Sequence, residues 1–538
     1  MSRTVERDLY AKVGLAQIPH ILSMVDRNPL SPTYGCFDRA YWHYKTSSFP
    51  SGMYQEFVLP LALVYQYDFP GGETYKGRIR IQELVAAGIR YAARSSHRDG
   101  SCDDYYPYER ALGAVAFSLY GATESYLLLG LEEEDMVDFF RRRGQWLITH
   151  QESGRLSNHQ ALTVLALYNV HRITGDPQLM AGVRSRLETL LQWQTNEGWF
   201  PEYEGCDPGY LTATIDFLAK YYRKSQDIAV LDPLKAAIRF ASQFIHPDGS
   251  YGGEYGSRNT FLFFPHGFEL MAAYSQEARQ VADLYIMRGI SEGYRVHLDD
   301  DRLCAHLSYN HLQAYLDFWG GERGEESATV TEGRYWSGAR LYLHRDERRY
   351  AVVSTAKGGV IRLYVDGQLA YADSGIIVRL ADGTTLVSHL VGDYEVSIKE
   401  KGIQVAGHFG SCRYRLPTGL SQTVFHLAML TVGRWNSDAV RGLLQRILIL
   451  GKRKDSTRFR RTILFGQQVD MTDEIWKDVG QGPGRKVEAL YAGTDHTSIY
   501  VAVSQSYQHS CLLEWTNYGE FREVLNREGY VRIERTIG

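Results

Sequence analysis

The chain has 538 residues, past the size at which one hydrophobic core stops growing, so two domains are expected. Its 44% hydrophobic and 23% charged residues are the balance of a globular chain and exclude a disordered one. A formal net charge of −4 offers no basic footprint, so a nucleic-acid partner is not expected.

The opening stretch, Met1 to Gly14, carries Arg3, Glu6, Arg7 and Asp8 and lacks the apolar centre of a secretory signal. No eighteen apolar residues run together anywhere, and the best candidate, Leu443 to Leu450, is broken by Gln445 and Arg446. A cytoplasmic location with no membrane contact is the expectation. The cysteines Cys36, Cys102, Cys206, Cys304, Cys412 and Cys511 stand singly, with none of the close pairs of a disulfide framework or Cys-rich zinc site. The 38 Tyr and 9 Trp suit both ring packing and stacking on sugar faces.

In chain order, a polar and aromatic segment, Tyr34 to Lys45, precedes an apolar run over residues 54–67. One pattern then recurs: an amphipathic helix, a polar loop built on glycine, and a second apolar helix. The loops are His97 to Ser101, His150 to Gly154, Thr195 to Trp199 and His246 to Ser250, and their glycines lie 54, 44 and 51 residues apart. Leu187, Leu190 and Leu191 before a loop, and Leu112, Val115 and Leu119 after one, show the helical spacing. One hairpin cannot bury its apolar face alone, so hairpins with a period near fifty must stack into an array, and residues 281–319 extend it. The period does not distinguish an open solenoid from a closed toroid.

From Glu322 to Glu326 a charged stretch marks a boundary, giving expected domains 1–321 and 322–538. Beyond it, short alternating runs predict strands at Ala339 to His344, Arg349 to Thr355, Val360 to Val365, Gly375 to Leu380 and Thr385 to Leu390. Turns at Asp366-Gly367 and Asp382-Gly383 separate several of them. Residues 394–416, 458–465 and 486–504 continue in kind, with one helix expected near Ser437 to Leu450. The fold class is therefore α+β in two domains: a helical array followed by an antiparallel β-sandwich.

Stacked hairpins gather their loops on one rim around a common cleft. The loop candidates are Asp38, Arg39, Trp42, His43 and Lys45; Asp103, Asp104 and Glu109; Asn158 and His159; Asp207 and Tyr210; Glu254, Tyr255, Arg258, Asn259 and His266; and Tyr309, Asn310 and His311. These residue types fit abstraction of the proton next to a uronate carboxylate. Amide, imidazolium or guanidinium groups stabilise the enolate charge. A neutral His or a Tyr phenolate takes the proton, and a Tyr hydroxyl returns one to the leaving oxygen. A Tyr base needs a neighbouring cation such as Arg258 to depress its pKa. No cofactor and no metal is required. Bland readings exist too: Asn158 as a helix N-cap, Asp103 and Asp104 as turn formers, and Arg39 with His43 in a plug at one end of the array.

Asn158-His159, followed about fifty positions on by Tyr210, resembles the Asn/His and Tyr arrangement of the heparinase II/III-like, oligo-alginate lyase and dermatan-sulfate epimerase families. The likeness runs over roughly residues 34–430 and takes in Lys357-Gly358-Gly359 and Ala370 to Gly375. It implies an α/α-toroid, with Asn158 neutralising the substrate carboxylate, His159 as base, and Tyr210 as acid or as base on the other face. Tyr255, Arg258, Asn259, His266, Arg39, His43, Tyr309, His311 and Tyr371 are the substrate-binding candidates. Where those families carry a His-x-His-x-Asp pattern, this chain keeps Asp373 but has Tyr371 in place of a histidine, which puts a metal and a third catalytic group in question.

The expected activity is lyase cleavage of an acidic, uronate-containing polysaccharide by β-elimination. The alternatives are a uronyl C5-epimerase, a non-catalytic glycan-binding protein, or a toroid hydrolase using two carboxylates about 6.5–9.5 Å apart. In the hydrolase, Asp103 or Asp104 would pair with Asp207 or Glu254.

Overall fold

A computed structural model describes residues 3–152, 154–203, 205–293, 301–322, 331–412, 416–436, 440, 442–443, 453–478, 482–494 and 512–537. α1 (Arg3–Leu15), α2 (Ile18–Met24) and the single turn α3 (Arg39–Trp42) lead into α4 (Val58–Gln66) and α5 (Ile79–Ser95). Next come α6 (Leu112–Leu129), α7 (Glu134–Thr149), α8 (Ser157–Thr174) and α9 (Pro177–Trp193). α10 (Pro208–Ser225), α11 (Leu231–Ala241), α12 (Pro265–Met271), α13 (Gln276–Leu284) and α14 (Cys304–Leu316) complete the helical part.

The even-numbered helices from α4 to α14 pack in sequence, and α14 returns to α4. That last contact closes the array into a toroid. α5, α7, α9, α11 and α13 lie outside the inner ring, and α1 packs on α14 as the remaining outer helix. α6 is apolar around most of its circumference because an inner helix has protein on all sides, whereas the outer helices are amphipathic.

The glycine loops join α5 to α6, α7 to α8, α9 to α10 and α11 to α12. Three close with the same two backbone bonds, as in His97 N to Ser101 O and Gly100 N to His97 O, repeated at Thr195 and His246. Gly100 has φ +90°, and a Cβ there would lie 2.7 Å from Arg143 N, so the turn needs glycine on both counts. Because the inner helices run parallel, their N-termini, each a partial positive charge, converge on one rim.

The last toroid helix ends at Leu316 and the first strand begins at Thr331, on either side of the expected boundary. β1 (Thr331–Trp336), β2 (Leu341–Arg345), β3 (Arg349–Ser354), β4 (Val360–Val365) and β5 (Gln368–Asp373) form an antiparallel meander. A second sheet contains β6 (Ile376–Leu380), β7 (Thr385–Val387), β8 (Glu395–Lys399), β9 (Gly402–Cys412), β10 (Arg453–Phe465), β11 (Val469–Trp476), β12 (Val487–Ala492), β13 (Thr516–Asn517) and β14 (Tyr530–Ile537). Its order is β13-β12-β6-β7-β9-β10-β11-β14, with β8 also on β9.

Strand alternation explains how the halves join. Ala351, Val353, Ile361 and Leu363 meet Ile403, Ile463, Phe465 and Met471 between the sheets. Tyr350, Val352 and Tyr364, on the other face of the first sheet, enter the toroid core. The sandwich is thus anchored through a sheet buried on both sides. α15 (Gly419–Ala428) and α16 (Gly519–Glu528) are additions that the strand-like texture of this half did not announce. The helix expected near Ser437 to Leu450 falls, apart from positions 440, 442 and 443, outside the described residues, as do 413–415 and 495–504 of the expected strand regions.

Candidate functional site

Asn158 lies in the first turn of α8, whose N-cap position is Leu156, so Asn158 is not the cap. The cap comes from the next loop: Glu202 Oε1 accepts the Asn158 backbone N–H at 3.0 Å and its side-chain amide at 2.8 Å. A carboxylate at a helix N-terminus meets both free N–H groups and the positive end of the dipole. Burial pushes the Glu202 pKa up, while Arg258 and the Asn158 donors work against that rise.

Arg258 is the centre of the cluster. Its guanidinium lies 4.4 Å from the centroid of Tyr210 and 4.9 Å from that of Tyr203, and 3.6 Å from Glu202 Oε2. Asp207, the N-cap of α10, holds both partners in place: Oδ1 accepts Tyr210 N at 3.0 Å and Oδ2 accepts Arg258 N at 2.8 Å. Among the described residues the Tyr210 hydroxyl has no hydrogen-bond partner. Burial raises its pKa to about 12 although Arg258 opposes this, with Glu202 and Asp207 adding to the rise. The expected cation is therefore beside Tyr210, but burial and the acids outweigh it. Tyr210 stays a neutral phenol, suited to giving a proton, not a phenolate base.

His159, the next residue of α8, holds Glu152 Oε2 through Nδ1 at 2.7 Å. Burial lowers its pKa, but Glu152 and then Glu202 outweigh burial, and the net shift is upward. Gly113 makes room for the ring, since a Cβ there would lie 2.7 Å from His159 Cε1. His159 opens on a small cavity of about 130 Å³ shared with Glu152, Gln160, Arg186 and Trp193. Asn158 and Tyr210 do not line that cavity; they meet each other through Glu202 and Arg258.

The sandwich supplies Lys357. Its ammonium donates to Asn259 Oδ1, Glu254 O and Gly256 O, the last at 3.0 Å, which uses all three N–H bonds. Burial pulls its pKa down to about 8 against the pull of Asp207 and Glu254, but three acceptors favour the charged form. Asn259 adopts φ +53° in this tethered loop.

Other candidates lie elsewhere. Tyr255 is 1% exposed, its hydroxyl 2.9 Å from His246 Nε2 at the toroid–sandwich junction. His266 is buried, with Nε2 2.9 Å from Asp317 Oδ2. Tyr309, Asn310 and His311 are buried in the body of α14, not in a rim loop, with His311 turned towards Tyr10 of α1. His311 bonds Leu307 O at 2.7 Å and Tyr285 Oη at 2.8 Å, while Tyr309 packs 5.2 Å from Lys220 Nζ. Arg39 stacks on Tyr44 at 5.1 Å and His43 between Trp42 and Tyr44, on the outside of the N-terminal segment.

Tyr371 belongs to the sandwich. Its hydroxyl donates to Asp373 Oδ2 at 2.7 Å and accepts from Arg535, in a network where buried Arg461 binds Asp373 and Asp473 at 2.7 Å each. Asp103 accepts the Tyr108 and Arg110 N–H groups and pairs with His97 at 2.9 Å, the turn-forming role. Asp104 accepts from Ser51 Oγ at 2.6 Å. Glu152, Glu202 and Tyr203, which complete the cluster, are single residues in irregular loops without a pattern of their own. Among the described residues no three His, Cys, Asp or Glu side chains converge as a metal site.

No family model and no curated protein matches the chain. Solved structures do. Chondroitin AC lyase from Streptomyces coelicolor A3, in complex with chondroitin sulphate, aligns with a TM-score of 0.54 at 11% identity, over 90% of this chain and 68% of that one. Heparinase III gives 0.49 at 10% identity, over 92% and 79% of the two chains. Cellobiose 2-epimerase from Bacillus thermoamylovorans B4167 gives 0.43 at 11%, over 57% and 98%. The chondroitin AC lyase likeness establishes a shared fold, an α/α-toroid followed by a β-sandwich.

Proposed function

We propose that the protein is a polysaccharide lyase that removes the C5 proton of a uronic-acid residue and expels the 4-O-linked sugar. The observation that carries this reading is the Arg258 guanidinium held between the Tyr203 and Tyr210 rings, beside the Asn158–Glu202 pair. A cation and an amide at one point suit a sugar carboxylate, and neutralising that carboxylate is what acidifies the adjacent C–H. His159, with Nδ1 held by Glu152, has Nε2 left to accept the proton, and the nearby acids stabilise the imidazolium that results. Tyr210, neutral with a pKa of about 12, donates to the departing glycosidic oxygen. The converging N-termini of the inner helices add a positive field for an anionic polymer.

The hydrolase reading is weaker where it uses Asp103 or Asp207, since each already uses both oxygens on backbone N–H groups. Incubation with uronic-acid polymers in deuterated water separates the alternatives. Elimination creates a double bond absorbing in the ultraviolet, and that signal should vanish in His159→Ala and Tyr210→Phe. Deuterium at C5 without absorbance would replace the lyase with an epimerase, and new reducing ends without either signal would mean hydrolysis.

A further inference from the structure

We propose that the outward face of Leu416–Trp435 docks the protein on an anionic lipid surface. β9 and β10 are paired neighbours, with Ser411 opposite Arg453, yet the chain makes a long excursion between them over residues 413–452. Within it α15 runs on into a π-helical turn, Met429–Gly433. One side of this helix rests on the toroid rim. Met429 and Gly433 are buried, Phe425 meets Tyr106 edge-on at 5.3 Å, and Arg434 lies 5.6 Å from the ring of Tyr108.

The opposite side is apolar and, among the described residues, uncovered. Leu416 is 91% exposed, Leu420 76%, Val424 58%, Leu427 56% and Trp435 87%. Positions 420, 424 and 427 repeat at helical spacing on α15, about half a turn from Phe425 and Met429, and Leu416 stands just before the N-cap, Thr418. Single exposed apolar residues are ordinary on a protein surface, but a continuous stripe along one helix is not. A helix that only covered the rim would carry polar residues outward. Here no Asp, Glu, Lys or Arg occurs between Leu416 and Gly433.

Charge identifies the occupant. Residues 413–454 contain eight Arg and Lys against a single acid, Asp438, in a chain whose net charge is −4. Of these the structure describes Arg434, which reaches back over the Tyr108 ring, and Arg453 and Lys454 at the foot of the excursion, and all three are exposed. Leu and Val side chains at the acyl boundary, an indole at headgroup depth and cations among lipid phosphates are the pattern of a helix lying in a bilayer interface. Such a helix needs no run of eighteen apolar residues, so the sequence expectation of no membrane contact does not address it. Docking by this face holds the rim loops around Ser48 and Tyr106 at the lipid surface.

The test is flotation of the full chain with vesicles of equal parts phosphatidylcholine and phosphatidylglycerol, against phosphatidylcholine alone. The protein should float with the anionic vesicles, less so as salt rises, and poorly with the neutral ones. The double variant Leu420→Asp with Leu427→Asp changes exposed side chains only, and should weaken binding about tenfold or more. Trp435→Phe should keep most of the binding yet lose the part of the tryptophan emission that brominated lipid quenches. Failure to float with anionic vesicles, or flotation indifferent to the aspartates, overturns the proposal. So does self-association in vesicle-free buffer that the same aspartates abolish, which would make the stripe an interface between copies.

Discussion

Replacing Tyr210 by Phe removes one hydroxyl and keeps the ring that lies 4.4 Å from the Arg258 guanidinium. The attraction between cation and ring face, about 0.5–2 kcal/mol, belongs to the ring and survives. The hydroxyl has no hydrogen-bond partner among the described residues, so its loss should cost folding less than about 1 kcal/mol. Catalysis should respond very differently. A positioned general acid contributes about 10²–10⁴ in rate, which is about 3–5 kcal/mol at about 1.4 kcal/mol per tenfold. The assay is kcat and KM from the rise in ultraviolet absorbance on a uronate oligosaccharide, beside a urea unfolding curve. The loss should fall on kcat with KM little changed. A substrate whose O4 carries a nitrophenyl group should recover most of the rate, because that group leaves without a proton. Activity within about threefold of the parent, at an unchanged unfolding midpoint, would refute the acid role. Loss without rescue by the better leaving group would instead make Tyr210 the base.

Glu152→Gln tests the base. A residue whose pKa is raised acts as a base only above that value, so removing the acid should lower the His159 pKa and move the acid limb of kcat/KM to lower pH. If His159 serves as a cation, the alkaline limb moves down instead. Gly113→Ala sets a Cβ 2.7 Å from His159 Cε1 and should reduce kcat about tenfold to a hundredfold by displacing the ring, with intact binding of substrate as the check. Asp473→Ala should destabilise the sandwich by about 3–5 kcal/mol in urea unfolding, since it leaves the buried Arg461 and the partly buried Arg535 short of a partner. Burial opposes the Asp473 carboxylate, but Arg461 and then Arg535 prevail and lower its pKa. Its stabilisation is therefore present above about pH 4 and lost as pH falls through the lowered value, so acid unfolding should be less steep in the variant.

The hairpins were legible because each of the glycine loops satisfies a local demand. Gly100 must take φ +90° and admit no Cβ, and helical periodicity on either side names the elements. β4 occupies Val360–Val365, the range that its β-branched run and the following Asp366-Gly367 turn indicate. The candidate site was legible in part. Asn158, Tyr210 and Arg258 converge, whereas Tyr255, His266, Tyr309, His311 and Tyr371 are engaged in junction, interior or sandwich contacts.

By itself the sequence determined the repeating helical unit, the change to strands beyond the toroid and the loops that carry the candidate residues, since each depends on neighbours a few positions apart. Only the tertiary structure decided that α14 returns to α4, that Glu202 caps α8, and that burial keeps the Tyr210 phenol protonated despite Arg258. Those outcomes are set by groups tens to hundreds of residues apart, whose meeting leaves no periodic trace in the chain.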